Sequence, residues 1–307
     1  ETIQSSKEII LSCGAINSPK LLMLSGIGPA DQLKKHEIKP EINLPGVGKN
    51  LQDHPTIILQ YDCKKYFPIH GMNSNIRKLA TGIEWLVRRR GLACTNVWEA
   101  GGLICSNDKV KYPNIQYHFG PVGFDIINNS IKVKQGFVLH VDLLRPKSRG
   151  YLRLNNKNIF GKPEIFFNYM SNSDDIRMMS EGIDKARDLI NQNCFDQFRG
   201  KETTGSAEGV DKDNKLDVIQ GLTATDYHPC GTCKMGNSEE GVVNEELKVH
   251  GLDNLRVIDG SVLPKIISAN LNAPIQMIAH RASDYILNKS QLAPIKARFA
   301  FQESNIK

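Results

Sequence analysis

The spacing of apolar positions changes twice along this 307-residue chain. The first stretch opens on KEIIL at 7–11, a short apolar run of the kind a buried strand carries, and passes through Cys13, Gly14 and Ala15 into a segment where Leu21, Leu22 and Leu24 form a helical face. Ser18 is placed to cap that helix and Pro19 to take its first position, with Ser25 and Gly26 ending it. A short helix over ADQLKKHE at 30–37 follows, and then a looped stretch, LPGVGKNLQDHP at 44–55, crowded with Pro, Gly and Asn.

The middle third begins with a predicted helix at about 75–90, where Leu79, Ile83, Leu86 and Val87 recur at helical spacing. The period then drops to two. NIQYHF at 114–119 and GFVLHVDLL at 136–144 alternate apolar and polar residues, and GYLRLN at 150–155 resembles a further strand, so an antiparallel sheet is expected here. Helical spacing returns at 174–192 through Ile176, Met179, Ile183, Ala186 and Ile190, with Ser173 as the expected cap. The last third gives a strand and loop in NLRVIDGSVLP and a helix in NAPIQMIAHRASDYIL, with Pro274 near its start. The order α/β, antiparallel sheet, α/β suits a nucleotide-binding domain interrupted by a substrate domain; the fold class is α/β locally and α+β overall.

Composition narrows the function classes. With 40% hydrophobic and 23% charged residues the chain is globular, and no apolar run reaches membrane-spanning length. The net charge of +6 comes from dispersed basic residues, densest in VRRRG at 87–91, which a solvated helix end explains better than a nucleic-acid surface. Seven cysteines, an odd number, make no disulfide framework. Cys230 and Cys233 form CGTC, but a zinc site would need a second such pair and a thioredoxin-like pair would need a helix start, so no metal is expected.

Candidate chemistry lies at both ends. A strand, a small-residue turn and a helix N-terminus at 9–19 form an arrangement that favours anions, although an ordinary βα turn looks the same. His228 in DYHPCGTCKMG stands before a proline in a small-residue loop, where the ring serves either a pocket or the loop's own structure. Asn270 and Asn272 precede the helix at Pro274, as ligand contacts or as caps. Asp259 and Gly260 end the strand RVI.

Taken in order, these blocks resemble the C-terminal half of the glucose-methanol-choline (GMC) flavoprotein oxidoreductases, nearest in type to insect glucose dehydrogenase-like members. GAINSPKLLMLSGIG, PGVGKNLQDHP, SRGYLRLN, HPCGTCKMG, LRVIDGSVLP and NLNAPIQMIAHRASDYI carry the likeness, which spans about 7–288 and is thinnest at 60–135 and 195–220. It implies an incomplete FAD-binding Rossmann-like domain plus a substrate domain on an antiparallel sheet. The expected divisions are 1–59 for the first FAD-domain portion, 60–220 mainly for substrate binding, 221–290 for the active-site loop and return to the FAD domain, and 291–307 for a tail.

The same resemblance implies FAD as cofactor and an alcohol or sugar as substrate. Hydride would pass from the carbinol carbon to flavin N5, with a quinone or oxygen as electron acceptor and neither nucleic acid nor a membrane span involved. His228 corresponds to the active-site histidine and Asn270 to the residue that hydrogen-bonds the substrate oxygen. Gly14 and Ala15 are small beside the adenosine portion, and Asp259, Gly260 and Asn272 contact flavin. Departures accompany these matches. No GxGxxG occurs in these residues, Asn244 stands where an Asp is usual, His280 where a Glu is common, and Cys230 replaces an apolar neighbour of His228. The chain opens almost directly on a strand without a leader, so we expect a fragment of a longer polypeptide, with a truncated non-catalytic derivative as the alternative. The residues assign no compartment; the resemblance points to a secreted one.

Overall fold

The computed structural model describes residues 2–128, 130–203 and 215–293. Strand β1 (Ile9–Leu11) pairs in parallel with a strand from the far end of the chain, Leu255–Val257, Ile9 opposite Leu255 and Leu11 opposite Val257. Ile9 and Ile10 are 54% and 44% exposed, so the buried strand expected from KEIIL is instead a half-open one, because its pairing among the described residues is on one edge.

Helix α1 (Gly14–Leu24) starts earlier than expected, with Cys13 at the cap position and Pro19 inside. Pro19 has no N–H to bond the carbonyl four residues back, and the freed Ala15 oxygen accepts the Thr232 hydroxyl at 2.6 Å. Ser18 is therefore not the cap. Its hydroxyl donates to Asp259 Oδ2 at 2.5 Å and accepts the Cys13 N–H at 3.1 Å. Gly26 at φ +80° takes the sharp turn out of α1, where an added Cβ would meet the Lys39 carbonyl oxygen at 2.6 Å. Leu22, Met23, Leu33, Val47, Leu152, Val243, Val257 and Ala282 share one core, which thus gathers residues from both ends of the chain.

The second core lies under a six-stranded antiparallel sheet. Its path runs from Arg199–Glu202 through β2 (Pro55–Cys63), β3 (Gly136–Leu143) and Ile115–Gly120 to Ala100–Ile104, with Ala224–Thr225 also paired to β2. Side chains alternate across a pleated strand, so Ile57, Leu59, Tyr61, Ile115, Tyr117, Leu139 and Val141 fall on one face. Helix α2 (Ser173–Ile190) covers them with Met179, Ile183, Ala186 and Ile190. Gly182 permits the close approach: a Cβ there would sit 3.0 Å from Ile115 Cδ1, and the Gly182 carbonyl accepts the Tyr117 hydroxyl at 2.7 Å. The cap of this helix is Asn172, whose side chain accepts the Asp174 N–H, not the expected Ser173.

The opposite face of the same strands is polar. Gln116, His118, His140, Asp142 and Thr56 lie on it, with Gln116 and Thr56 each opposite Asp142 and His118 opposite His140. The predicted helix at 75–90 forms over Asn75–Arg88, but none of it is buried: Leu79, Ile83, Leu86 and Val87 are 54–73% exposed. The C-terminal helix, α3 (Asn272–Ile286), likewise buries only Ala282. No helix among the described residues is long and apolar enough to cross a membrane. Most of the expected tail, 294–307, lies outside the described residues, as does 204–214.

Candidate active site

Two segments far apart in sequence are zipped together to build the site. Ala224–Thr225 pairs with Pro55–Thr56, the Asp226 N–H donates to the His54 carbonyl at 3.1 Å, and Gln52 and Cys230 exchange backbone hydrogen bonds at 2.9 and 3.0 Å. Between them Asp53 acts as a bracket. Its Oδ1 accepts the His228 N–H at 2.8 Å, while Oδ2 accepts the hydroxyls of Tyr169 at 2.6 Å and Thr225 at 2.5 Å. Burial raises the Asp53 carboxyl above the usual range, and these donors oppose the shift.

Both ring nitrogens of His228 have neighbours that bear on where its proton sits. His54 Nε2 lies 2.9 Å from the Ile267 carbonyl, which only accepts, so Nε2 carries the His54 proton. Burial, with the nearby His228 charge, pushes His54 down to about 4, so this ring is neutral near pH 7 and its Nδ1 is an acceptor. His228 Nδ1, 3.2 Å from His54 Nδ1, must therefore carry the proton, and it also lies 3.0 Å from Asp226 Oδ2. On the other side Asn270 Nδ2 is 3.2 Å from His228 Nε2, and the Asn270 oxygen accepts from Gln116 Nε2 at 3.2 Å, which sets the amide so that it donates to a lone pair on Nε2. Asn270 does not cap α3, which has no side-chain cap; its amide lies against His228 and Gln116 instead.

Behind this pair stands the polar sheet face. His118 Nε2 lies 3.2 Å from Asp142 Oδ2 without the alignment of a hydrogen bond, and both Asp142 oxygens are buried with no hydrogen-bond partner. Burial, reinforced by the Asp226 charge, holds the Asp142 carboxyl well above its ordinary value, whereas burial lowers His118 and pushes His140 down to about 4. His54, Asp226 and His228, and likewise His118, Asp142 and Asp226, bring their polar atoms within 4.8 Å of one another, so the titratable groups here form one cluster. A cleft of about 580 Å³ lined by Gln32, Lys49, Tyr151 and Glu164 shares no residue with the site.

The residues expected at a cofactor are placed unequally. Gly14, at φ +79°, has nothing within 4 Å of where a Cβ would stand, leaving its outer side open to a flat ligand. Asn272 is exposed in the uncapped first turn of α3, its oxygen accepting from Gln276 at 3.1 Å. The open space beside Gly14 leaves room for a flat group, and the uncapped, positive end of α3 is suited to electron-rich cofactor atoms, so the two positions can accommodate a flavin nucleotide. Ala15 and Gly260 are buried, and Gly260 lies under Ile275. Asp259 turns inward, its carboxylate accepting from the Gly14 N–H at 2.9 Å, the Ser18 hydroxyl and the Ser261 N–H at 2.8 Å.

Sequence reading missed His54, Asp53, Asp226 and Gln116. The alternation in NIQYHF and GFVLHVDLL already puts Gln116 with His118 and His140 with Asp142 on one face; nothing local in 52–56 announces its pairing with 224–230. Cys230 and Cys233 are fully buried and their thiols are pushed up by burial, Cys230 to about 12, so neither is a reactive thiolate.

The chain resembles known proteins in both sequence and fold. Two family models, both described as GMC oxidoreductase, match the chain at residues 1–56 and 146–279. The oxygen-dependent choline dehydrogenase of Staphylococcus xylosus is 39% identical over 297 residues, 96% of this chain and 53% of that protein. Its counterpart in Brucella ovis is 41% identical over 295 residues, 95% and 54% of the two. A mutant of the formate oxidase of Aspergillus oryzae RIB40, solved for the effect of mutation on FAD modification, superposes with a TM-score of 0.83 at 26% identity, covering 92% of this chain and 54% of that one. A pyridoxine 4-oxidase superposes at 0.76 with 25% identity, covering 92% and 52%. The chain thus spans about half the length of the curated relatives it matches. Those relatives are choline dehydrogenases, and the expected nearness to insect glucose dehydrogenase-like proteins finds no support among them.

Proposed function

The chain belongs to the GMC oxidoreductase family, and from that premise we propose that it is the part of an FAD-dependent oxidoreductase that carries the proton-accepting half of alcohol oxidation. The cofactor that the family and its solved relatives indicate is FAD. Bound FAD supplies the hydride acceptor; Gly14 and the first turn of α3, with Asn272, are the positions that would lie against it.

The observation that carries the reading is the placement of His228, with Nδ1 3.2 Å from His54 Nδ1 and Nε2 3.2 Å from the Asn270 amide nitrogen. A substrate hydroxyl entering between Nε2 and the Asn270 amide would give its proton to Nε2 and accept a hydrogen bond from Asn270. Loss of that proton raises electron density at the carbinol carbon and makes hydride departure easier. The polar sheet face, with Gln116 and His118, would line the substrate side.

A choline-type alcohol is the first substrate to assay, because the relatives bear that name; a sugar is the second, and oxygen and a quinone are the acceptors to compare. The test is anaerobic mixing of the full-length polypeptide with each alcohol. Bleaching of flavin absorbance by choline supports the reading, bleaching by glucose alone moves the substrate to sugars, and bleaching by no alcohol contradicts the proposal.

A further inference from the structure

Asp226 faces His228 from the side opposite Asn270. Tyr227, between them, adopts φ 61° and is 85% exposed, and this left-handed residue turns its own side chain outward while both neighbours face in. Asp226 Oδ2 then stands 3.0 Å from His228 Nδ1, a charge contact without the alignment of a hydrogen bond, the two side chains being only 16% and 14% exposed.

The other titratable groups around the ring cannot take the same role. His54 meets Nδ1 as a neutral acceptor. Asp53 binds the His228 backbone N–H and is engaged by the hydroxyls of Tyr169 and Thr225. His118 and Asp142 lie behind, with burial opposing charge on both. Asp226 is the carboxylate beside the imidazole ring itself. When Nε2 accepts a proton the ring becomes a cation, and an opposite charge about 3 Å from its other nitrogen favours that cation.

We propose that Asp226 is a positioning residue for His228: its negative charge beside Nδ1 favours a proton on that nitrogen and strengthens Nε2 as the acceptor of the substrate's hydroxyl proton. This rests on the reading of His228 as the base. One O–H bond breaks and one N–H bond forms at Nε2; Nδ1 keeps its proton, Asp226 stays a carboxylate, and no electron is transferred in the step.

The test is a histidine NMR titration of the 307-residue chain, with His228 signals assigned by their loss in His228→Gln. The 15N shifts of the neutral ring should show the proton on Nδ1. In Asp226→Asn the His228 midpoint should fall by about one pH unit or more, and Asp226→Glu should recover much of it. An unchanged midpoint in a well-dispersed Asp226→Asn spectrum overturns the proposal. If that variant does not fold, the wild-type shifts decide, because a proton on Nε2 also overturns it. Full turnover by full-length His228→Gln would remove the base assignment instead, leaving the measured midpoints as they are.

Discussion

The Ser18 hydroxyl donates to Asp259 Oδ2 at 2.5 Å, although 241 positions separate the two residues. The same carboxylate accepts the N–H groups of Gly14 and Ser261, so one buried acid ties the start of α1 to the turn that follows the returning strand. Replacing it leaves three donors, two of them buried, without their acceptor, and hydrogen bonds to charged groups are each worth about 1.5–3 kcal/mol. Asp259→Ala should lower the stability of the chain by about 3 kcal/mol or more, measured by urea unfolding. A change below about 1 kcal/mol would show that the clamp contributes little.

Acid should destabilise the fold through its buried imidazoles. His54 and His140 are both pushed down to about 4, from an ordinary value near 6.5. The unfolded chain takes up protons at these rings below about 6.5 while the folded chain takes them up only near 4, so their contribution is complete above the first value and is lost as pH falls through the window. Asp142 acts in the opposite sense, since its raised carboxyl favours the fold at low pH. Unfolding at pH 7.5 and 4.5 should therefore show a loss attributable to the histidines of at most about 3 kcal/mol each, and His140→Gln should reduce it. Equal pH dependence in wild type and variant would contradict the assignment of His140.

Cys230 and Cys233 should resist a thiol reagent in the native chain, because both are fully buried and their thiols are pushed up. Cys13, Cys94 and Cys194 are exposed and should react first. Prompt labelling of Cys230, read by mass spectrometry of peptides, would mean that the His228 loop opens readily.

Gly48, at φ +81°, leaves no room for a side chain, since a Cβ there would run into the Leu152 carbonyl oxygen. Gly48→Ala should cost about 2 kcal/mol or more through backbone strain and the clash. A denaturant midpoint equal to wild type would contradict it.

Local pattern carried much of the fold. Period-two alternation at 114–119 and 136–144 gave the sheet and its two faces, and helical spacing through Met179, Ile183 and Ala186 gave the helix that covers one of them. Pairing between distant segments was not legible, because Gln52 and His54 meet Cys230 and Asp226 only through long-range backbone contacts. Exposure was misread for the same reason: KEIIL and the helix over Asn75–Arg88 have apolar patterns, but burial depends on what packs against them. At the site, His228 and Asn270 stood out from their loop and pre-helix positions, whereas the tautomer depends on His54 and Ile267, which nothing near His228 in sequence suggests.

Asn270 offers its amide to His228 Nε2 while Gln116 holds its oxygen. If the proposed reaction holds, Asn270→Ala in the full-length polypeptide should lower kcat/KM for the alcohol about tenfold or more, as expected for a hydrogen bond of about 1.5 kcal/mol. Unchanged kcat/KM would leave Asn270 without a part in substrate binding.

The central claim is that His228 accepts the substrate's hydroxyl proton. Its most direct test is the anaerobic rate of flavin bleaching by alcohol in full-length wild type and His228→Ala, with bound flavin quantified in both. The account predicts a rate lower by about 10²–10⁴-fold with flavin retained; an equal rate at equal flavin content would contradict it.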